Sequence, residues 1–387
     1  MAEHIVSKNQ SYKTVNSVLY YTGSLEVGGA EVQLRNLLSS LVDVIPSRIV
    51  AYYESGPLEA DYNATGAQLI RLEKGSGSYY QKLRTRWIGI KRIVEEHNPD
   101  LIHSQLPTTN LLACFALGNS HRPLIISERG LGSTRPFWEK ALRRLAYQRA
   151  SAFVTNSSAI QQRIISREKV PPGKTHIISN GIQMPAAKSS ARKRVVEELA
   201  LPHNSIVVTA VGSLSAVKGF DCLIQAIAVL RTKGKRICLV IAGEGVERSR
   251  LESIICSLEI SDCVRLPGLR SDVPDILAAS DIFASTSHSE GLSNSILEAM
   301  YSGLPTVATA VGGTVEIVKD GITGFLVPDS DSGMIASRLC QLAENAELRR
   351  TMGIRAKEYV RKNYSLEALA EKYMALYSSV IMKNAQV

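Results

Sequence analysis

The chain has 387 residues, 45% of them apolar and 21% charged, with a formal net charge of +9. That length exceeds one ordinary domain and predicts two, and no apolar run approaches the roughly 18–20 residues of a membrane-spanning helix. The six cysteines (114, 222, 238, 256, 263 and 340) are scattered with no Cys-x-x-Cys, which argues against structural zinc and predicts reduced thiols in a cytoplasmic protein.

The opening Met1-Ala2-Glu3-His4 is polar and carries no signal-peptide pattern, so the expected location is again cytoplasmic. Charge is unevenly spread. Residues 1–187 hold 22 Lys+Arg and 14 Asp+Glu, a net +8, which leaves +1 for the remainder. Basic clusters fall at Lys82, Arg84, Arg86, Lys91 and Arg92, and at Arg135, Lys140, Arg143, Arg144 and Arg149. Trp87 and the Phe137-Trp138 pair lie among them. Cations mixed with aromatic rings suit an anionic headgroup interface, so a peripheral membrane surface is an expected partner, against the plainer reading of a solvated face. Nucleic acid is not an expected partner, because no recognition motif accompanies the basic patches.

Residues 15–23 read as a buried first strand, followed by Gly28-Gly29 and a helix over Val32–Leu41. A glycine pair between strand and helix lets backbone approach a ligand closely. The dinucleotide fingerprint Gly-x-Gly-x-x-Gly is missing there, which argues against a nicotinamide enzyme. Short apolar runs then read as strands at Arg48–Tyr53, Gln68–Leu72, Leu101–Ser104, Leu124–Ser127, Ala152–Asn156 and His176–Ser179. Intervening stretches such as Tyr80–His97 and Pro136–Arg149 read as helices. This alternation predicts a parallel sheet covered on both faces, with ligands beyond the carboxyl ends of its strands. His103, Glu128 and Arg129 stand at such ends. His103 has the alternative of a satisfied structural histidine. Arg129 could hold an anion by bidentate hydrogen bonds or form an ion pair with Glu128.

Met184–Arg194 has linker composition, and Arg192–Leu201 reads as a short helix. The alternation then restarts with strands at 206–212, Ile237–Ala242, Val264–Pro267 and Asp281–Thr286. Lys218-Gly219 opens a helix after the loop Ser213–Val217. Ser289-Glu290-Gly291-Leu292-Ser293-Asn294-Ser295-Ile296-Leu297-Glu298-Ala299-Met300 follows the strand that ends at Thr286. Ser293, Asn294 and Ser295 are natural N-cap residues, so Glu290 is expected on a loop and Glu298 in the first turns of a helix. The N–H groups between them form an anion site. Strands near 304–308 and at Phe325–Val327 complete the sheet, and Ser365–Met382 has helical apolar period.

The stretch Ser-x-x-Glu290-Gly291, Glu298-Ala299-Met300-x-x-Gly303-x-Pro305 and Gly312-Gly313-x-x-Glu316, with Asp320-Gly321-x-x-Gly324-Phe325-Leu326-Val327, resembles the nucleotide-sugar site of family 4 retaining glycosyltransferases. The likeness covers most of residues 205–330 well and the N-terminal half more loosely. It implies the GT-B arrangement: an α/β protein of two Rossmann-like domains facing across a cleft. Residues 1–185 would be the acceptor-side domain and 186–364 the nucleotide-sugar domain, with a C-terminal helix near 365–383 packed back on the first. The implied activity is metal-independent transfer of a sugar, with anomeric retention, from a nucleoside diphosphate sugar to a hydroxyl of a glycan or lipid-linked glycan. No cofactor beyond that co-substrate, and no metal, is expected. The resemblance places Lys218 on the donor diphosphate, Glu290 on the sugar hydroxyls, Glu298 on the ribose, and the N–H groups of Gly291, Leu292 and Ser293 on phosphate or sugar. Gly28 and Gly29 lie near the phosphate, backbone near Leu269 meets the base, and His103 faces the cleft as a catalytic candidate. Two departures stand out. Ser213 replaces the family's usual phosphate-binding arginine, and Arg129 replaces a histidine on the acceptor side beside Glu128. A nucleotide-sugar epimerase or hydrolase of the same fold, and a non-catalytic binding protein, are the alternative readings.

Overall fold

The computed structural model describes residues 15–117, 122–130, 137–202 and 204–385. The Met1–His4 opening and Arg135, and the side chains of Phe137, Trp138 and Lys140, lie outside the described residues. The chain forms two compact units, Met1–Gly181 with Ser365–Val387, and Ile182–Tyr364.

The first unit is built on seven parallel strands: β1 (Ser17–Tyr21), β2 (Ser47–Tyr52), β3 (Gln68–Arg71), β4 (Leu101–Gln105), β5 (Leu124–Glu128), β6 (Ala152–Thr155) and β7 (Thr175–Ile177). Their order is β3-β2-β1-β4-β5-β6-β7. Side chains of successive strand residues point to opposite faces, and both faces are buried here. Val18 and Tyr20 join a core with Leu34, Leu37 and Leu38 of helix Gly29–Ser40 and with Tyr373 and Tyr377 of helix Leu366–Asn384. Leu19 and Tyr21 join the opposite core, with Ile90, Ile93 and Val94 of helix Tyr79–His97 and Leu112 and Ala113 of helix Pro107–Ala116. That is why β1 and β6 read as continuous apolar runs rather than alternating ones.

The second unit repeats the plan with six strands: β8 (Ile206–Val211), β9 (Ile237–Ala242), β10 (Val264–Gly268), β11 (Ile282–Ser285), β12 (Thr306–Thr309) and β13 (Gly324–Val327). Their order is β10-β9-β8-β11-β12-β13, and neighbouring strands pair in parallel. The Pro/Ala/Ser stretch read as a linker begins after the change of unit. Gly181 belongs to the first unit, where Gln33 and Asn36 both donate to its carbonyl at 3.0 and 2.9 Å. Ile182 is already buried in the second unit's core, and its N–H donates to Tyr364 O at 2.8 Å. The change of unit at Gly181/Ile182 falls at the Asn180-Gly181 step, four residues before the 185/186 bound drawn from the linker composition.

Candidate active site

Each sheet reverses its order at one place, between β1 and β4 in the first unit and between β8 and β11 in the second. Loops leaving adjacent strands at such a point diverge and open a crevice for ligand.

In the second unit three loops, those after β8, β11 and β12, are laced together beside that point. Gly212–Gly219 follows β8, and Lys218 lies in a single 3-10 turn, Ala216–Lys218. Thr286 Oγ1 donates to Lys218 O at 3.0 Å and His288 N to Val217 O at 2.8 Å, which fixes the β8 loop on the β11 loop. Gly219 is required there. It has φ +57°, and a Cβ on it would lie 2.3 Å from Thr286 O. From the β12 side Gly312, at φ +51°, lies so close that a Cβ would meet Glu290 O at 1.8 Å. Thr309 Oγ1 donates to Ser287 O at 2.5 Å.

This lacing delivers Lys218 and Glu290 to each other. Lys218 Nζ lies 2.5 Å from Glu290 Oε1, and the two side chains are 22% and 13% exposed. Ser287 Oγ donates to the same carboxylate oxygen at 2.8 Å. Both charges are thus held at a strand-end crevice while staying in reach of solvent. Ser213 is exposed, and among the described residues its hydroxyl meets only Ser215 Oγ, at 3.2 Å. Ser293 is the N-cap of helix Asn294–Tyr301, as its type predicts. However, its side chain makes no capping bond; Ser293 Oγ and Ser295 Oγ are 3.1 Å apart instead. The serine cap thus takes none of the first N–H groups of that helix. Glu298, half-buried, lies in its second turn. Leu292 is 6% exposed and packs in the core with Ile296, so only its backbone can face a ligand. Leu269 follows β10 directly and is 74% exposed.

Ser287 is the serine of the Ser-x-x-Glu290 motif, and its bond to Glu290 explains that spacing. Two neighbours escaped the sequence reading. His288 is one: its Nδ1 lies 2.6 Å from Asp329 Oδ1 and holds that carboxyl below the usual aspartate range. The other is the Asp-x-Asp step Asp329-Ser330-Asp331, whose second carboxylate caps helix Ser332–Glu344 through Met334 N at 2.8 Å. No local signal marks the His288–Asp329 pair, which joins residues 41 positions apart.

The first unit treats its strand-end residues differently. Gly28 caps helix Gly29–Ser40, and a Cβ there would lie 2.3 Å from Glu31 Oε2. His103 does not face an opening. It is 0% exposed, with Nδ1 2.7 Å from Tyr377 OH and Nε2 2.7 Å from Ser127 Oγ, among the rings of Tyr20, Tyr373 and Tyr377. Burial, with help from the Arg129 charge, pushes its pKa down to about 3. The expected cleft-facing histidine is instead a neutral clip between sheet and C-terminal helix. Glu128 is likewise consumed. At 4% exposed it accepts from Arg143 at 2.6 Å, Arg163 at 3.4 Å, Asn110 at 3.3 Å and the Tyr147 hydroxyl. Arg143 is 2% exposed, so it drops out of the basic surface to which its sequence cluster assigned it. Arg129 does not pair with Glu128. Its Nη1 donates to Asn180 Oδ1 at 2.8 Å and its Nη2 to Tyr373 OH at 2.9 Å.

The comparisons agree with this geometry. Residues 27–184 match the family model described as Glycosyltransferase Family 4, and residues 191–359 match Glycosyl transferases group 1. Alpha-D-kanosaminyltransferase of Streptomyces kanamyceticus is 27% identical over 310 residues, covering 79% of this chain and 75% of that protein. The capsular polysaccharide biosynthesis glycosyltransferase CapM of Staphylococcus aureus is 25% identical over 303 residues, covering 76% and 80%. Among solved structures, Anabaena Alr3699/HepE in complex with UDP and glucose superposes with a TM-score of 0.83 at 22% identity, covering 94% of this chain and 100% of that one. Two family models that run almost end to end, over two switch-point sheets of matching fold, leave one conclusion: the chain belongs to glycosyltransferase family 4 and is a glycosyltransferase of the GT-B fold.

Proposed function

We propose that this glycosyltransferase moves a sugar from a nucleoside diphosphate sugar to a hydroxyl of a glycan or lipid-linked glycan, with retention and without a metal ion. The observation that carries the reading is the Lys218–Glu290 pair at the β8/β11 switch point, beside the start of helix Asn294–Tyr301. Without donor, each charge offsets the other's partial burial. When donor enters, Lys218 turns to the diphosphate, which the helix start and Ser213 also hold, and Glu290 is released to the sugar hydroxyls. Glu298 takes the ribose, the N–H groups of Gly291, Leu292 and Ser293 take phosphate or sugar oxygens, and backbone beside Leu269 meets the base. In the first unit, Gly28 and Gly29 let the backbone of the loop after β1 approach a ligand closely. The bond from C1 to the diphosphate oxygen breaks, the acceptor oxygen bonds C1 on the same face, and the acceptor proton passes to the departing diphosphate. The protein supplies charge stabilisation and positioning, and no side chain forms a covalent intermediate. HepE, crystallised with UDP and glucose, and CapM, a capsular polysaccharide enzyme by its description, support a nucleotide sugar and a glycan as substrates. The test is a donor-by-acceptor screen read by mass spectrometry, with the anomeric configuration read by NMR and EDTA added. A retained linkage that forms undiminished in EDTA supports the proposal. An inverted linkage, EDTA-sensitive transfer, or sugar released without acceptor overturns it.

We assign the acceptor to the first unit and peripheral attachment at the cytoplasmic membrane face to helix Tyr79–His97. Among the described residues no helix is long and apolar enough to cross a membrane. This helix exposes Lys82, Arg84, Lys91 and Arg92 together with Tyr79 at 68%, Tyr80 at 81% and Ile88 at 48%. Trp87 is 37% exposed, with Lys91 Nζ 5.5 Å from its ring centroid. Each such cation adds about 1 kcal/mol at an anionic surface, and the rings suit the headgroup layer. Co-sedimentation with anionic liposomes, lost at high salt and weakened when Arg84 and Lys91 become Glu, is the expected result. Equal partitioning to neutral vesicles, or none to either, removes the membrane from the reading and leaves the transferase.

A further inference from the structure

The carboxyl edge of β4, β5 and β6 holds polar groups that the fold leaves unused. Gln105 ends β4 and is 1% exposed, yet among the described residues neither its Nε2 nor its Oε1 has a hydrogen-bond partner. Its register partner on β5 is Ser127. Two residues on, and so on the same face, comes Arg129, whose Nε is buried and also without a partner. On β6, Asn156 follows the Glu128–Thr155 register pair; it is 2% exposed, and its Oδ1 is unpartnered. Buried amides are almost always satisfied, because an unmade bond there costs more than a made one yields. Several orphans on one sheet edge, at strand ends where α/β sheets bind ligands, point to a partner that is not part of the chain.

The charges around this edge define the partner. Arg143 and Arg163 both face Glu128, and Arg143 also lies 3.9 Å from Glu168, so two carboxylates meet these two cations. Arg129 pairs with no carboxylate among the described residues. Neutral oxygens of Asn180 and Tyr373 hold it from two sides, which orients the guanidinium without cancelling its charge. A fixed cation beside unpaired neutral amides matches an anion carried on a hydroxylated ring. Gln105 and Asn156 can meet hydroxyls, and Arg129 can meet a carboxylate or phosphate with charge-assisted bonds.

We infer that Gln105, Arg129 and Asn156 form an acceptor subsite selecting a sugar that bears a carboxylate or phosphate group. This rests on the reading of the first unit as the acceptor-binding unit. Tyr373 and Asn180 act as positioning residues for the guanidinium.

Saturation-transfer NMR on the full chain, without donor, tests the subsite with D-glucuronate, D-glucose 6-phosphate and D-glucose as probes. The first two separate carboxylate from phosphate. At least one anionic sugar is expected to bind saturably, about tenfold or more tighter than glucose. Arg129→Gln should abolish that preference and leave glucose unchanged, and Arg129→Lys should restore part of it. Gln105→Leu should weaken all bound sugars by a similar factor of a few. Melting temperature and circular dichroism check that each variant is folded. UDP binding is followed in parallel as the readout of the second unit. UDP binding retained, with the anionic sugars no better than glucose or no sugar binding saturably, overturns this inference alone. An anionic preference that survives Arg129→Gln in a folded protein overturns the assignment to Arg129. Loss of UDP binding in the parent chain overturns the donor reading instead.

Discussion

The two units present the same topological opportunity and use it in opposite ways. At the β8/β11 switch point a lysine and a glutamate reach the strand ends with part of each side chain in solvent, and they bind mainly each other. In the first unit, the histidine and glutamate at the ends of β4 and β5 are buried and held by groups that never leave. Tyr377 and Ser127 take both nitrogens of His103, and two arginines, an asparagine and a tyrosine surround Glu128. A strand-end position therefore does not make a charged residue functional. The identity of its partners does: a part-exposed lysine and one serine hydroxyl can be exchanged for a ligand, whereas four buried partners cannot be surrendered without unfolding.

The contrast fails most visibly if Glu128 proves dispensable. Glu128→Ala leaves Arg163 without its carboxylate and the buried Arg143 with only Glu168, at 3.9 Å, a loss of about 3–5 kcal/mol in stability. Urea denaturation should show it, with acceptor affinity per folded molecule unchanged. Normal stability together with lost acceptor binding would transfer Glu128 to the functional side. Glu290→Gln should behave in reverse. It keeps the fold within about 1 kcal/mol but lowers turnover by about 10²–10³, the range found when a group stabilising transition-state charge is removed. Stopped-time product assays beside melting curves separate the two outcomes. Unimpaired turnover would remove Glu290 from the donor site.

His103 sharpens the comparison through pH. Its folded pKa of about 3 lies below the ordinary histidine value. Between those two values the unfolded chain takes up a proton that the folded one refuses. The stability it contributes is therefore full above about pH 6.5 and falls as pH drops toward 3. At pH 5 the loss is about 2 kcal/mol relative to pH 7. Subtracting the stability curve of His103→Gln, which cannot titrate, isolates this slope from the carboxylates. Parallel curves for parent and variant would mean that the imidazole is protonated in the fold and that its neutral, buried placement is wrong.

The fold class was legible because parallel strands covered on both faces leave uninterrupted apolar runs at regular spacing, as in Leu124–Ile126 and Ile237–Ala242. Those runs also placed the Glu290–Glu298 stretch after a strand and into a helix, which is where it lies. What sequence did not disclose was burial created by distant partners. The His103–Tyr377 bond spans 274 positions, and Arg143 sits in a basic cluster yet turns inward to Glu128. Leu292 sits two residues after Glu290 in the same loop, but its side chain belongs to the core with Ile296 and Leu297. Helix Pro107–Ala116 left no clear amphipathic stripe because buried residues lie on several of its sides, including Thr109 and Asn110. Gln105 carried no signal at all, since an unpartnered amide is a property of the surroundings and not of the residue.

The smallest expected effect bears on how open the second switch point is. Lys218 is the one side-chain cation at the Gly212–Gly219 loop, and Ser213, exposed and bonded only to Ser215, stands where the resembled family carries an arginine. If the crevice is as accessible as the exposures indicate, Ser213→Arg should reach the diphosphate. It should tighten nucleoside diphosphate binding by about 1 kcal/mol, roughly fivefold, because an added cation at a part-exposed site is screened and must give up rotamer freedom. Salt dependence provides the internal check. The gain should shrink between low and high ionic strength, as an exposed charge pair requires, while Tm without ligand stays unchanged. Calorimetric titration of UDP into parent and variant measures both. Unchanged or weaker binding in a folded variant would show that the diphosphate charge is already met by Lys218 and the helix start, so that the replacement of arginine by serine leaves no deficit at this site.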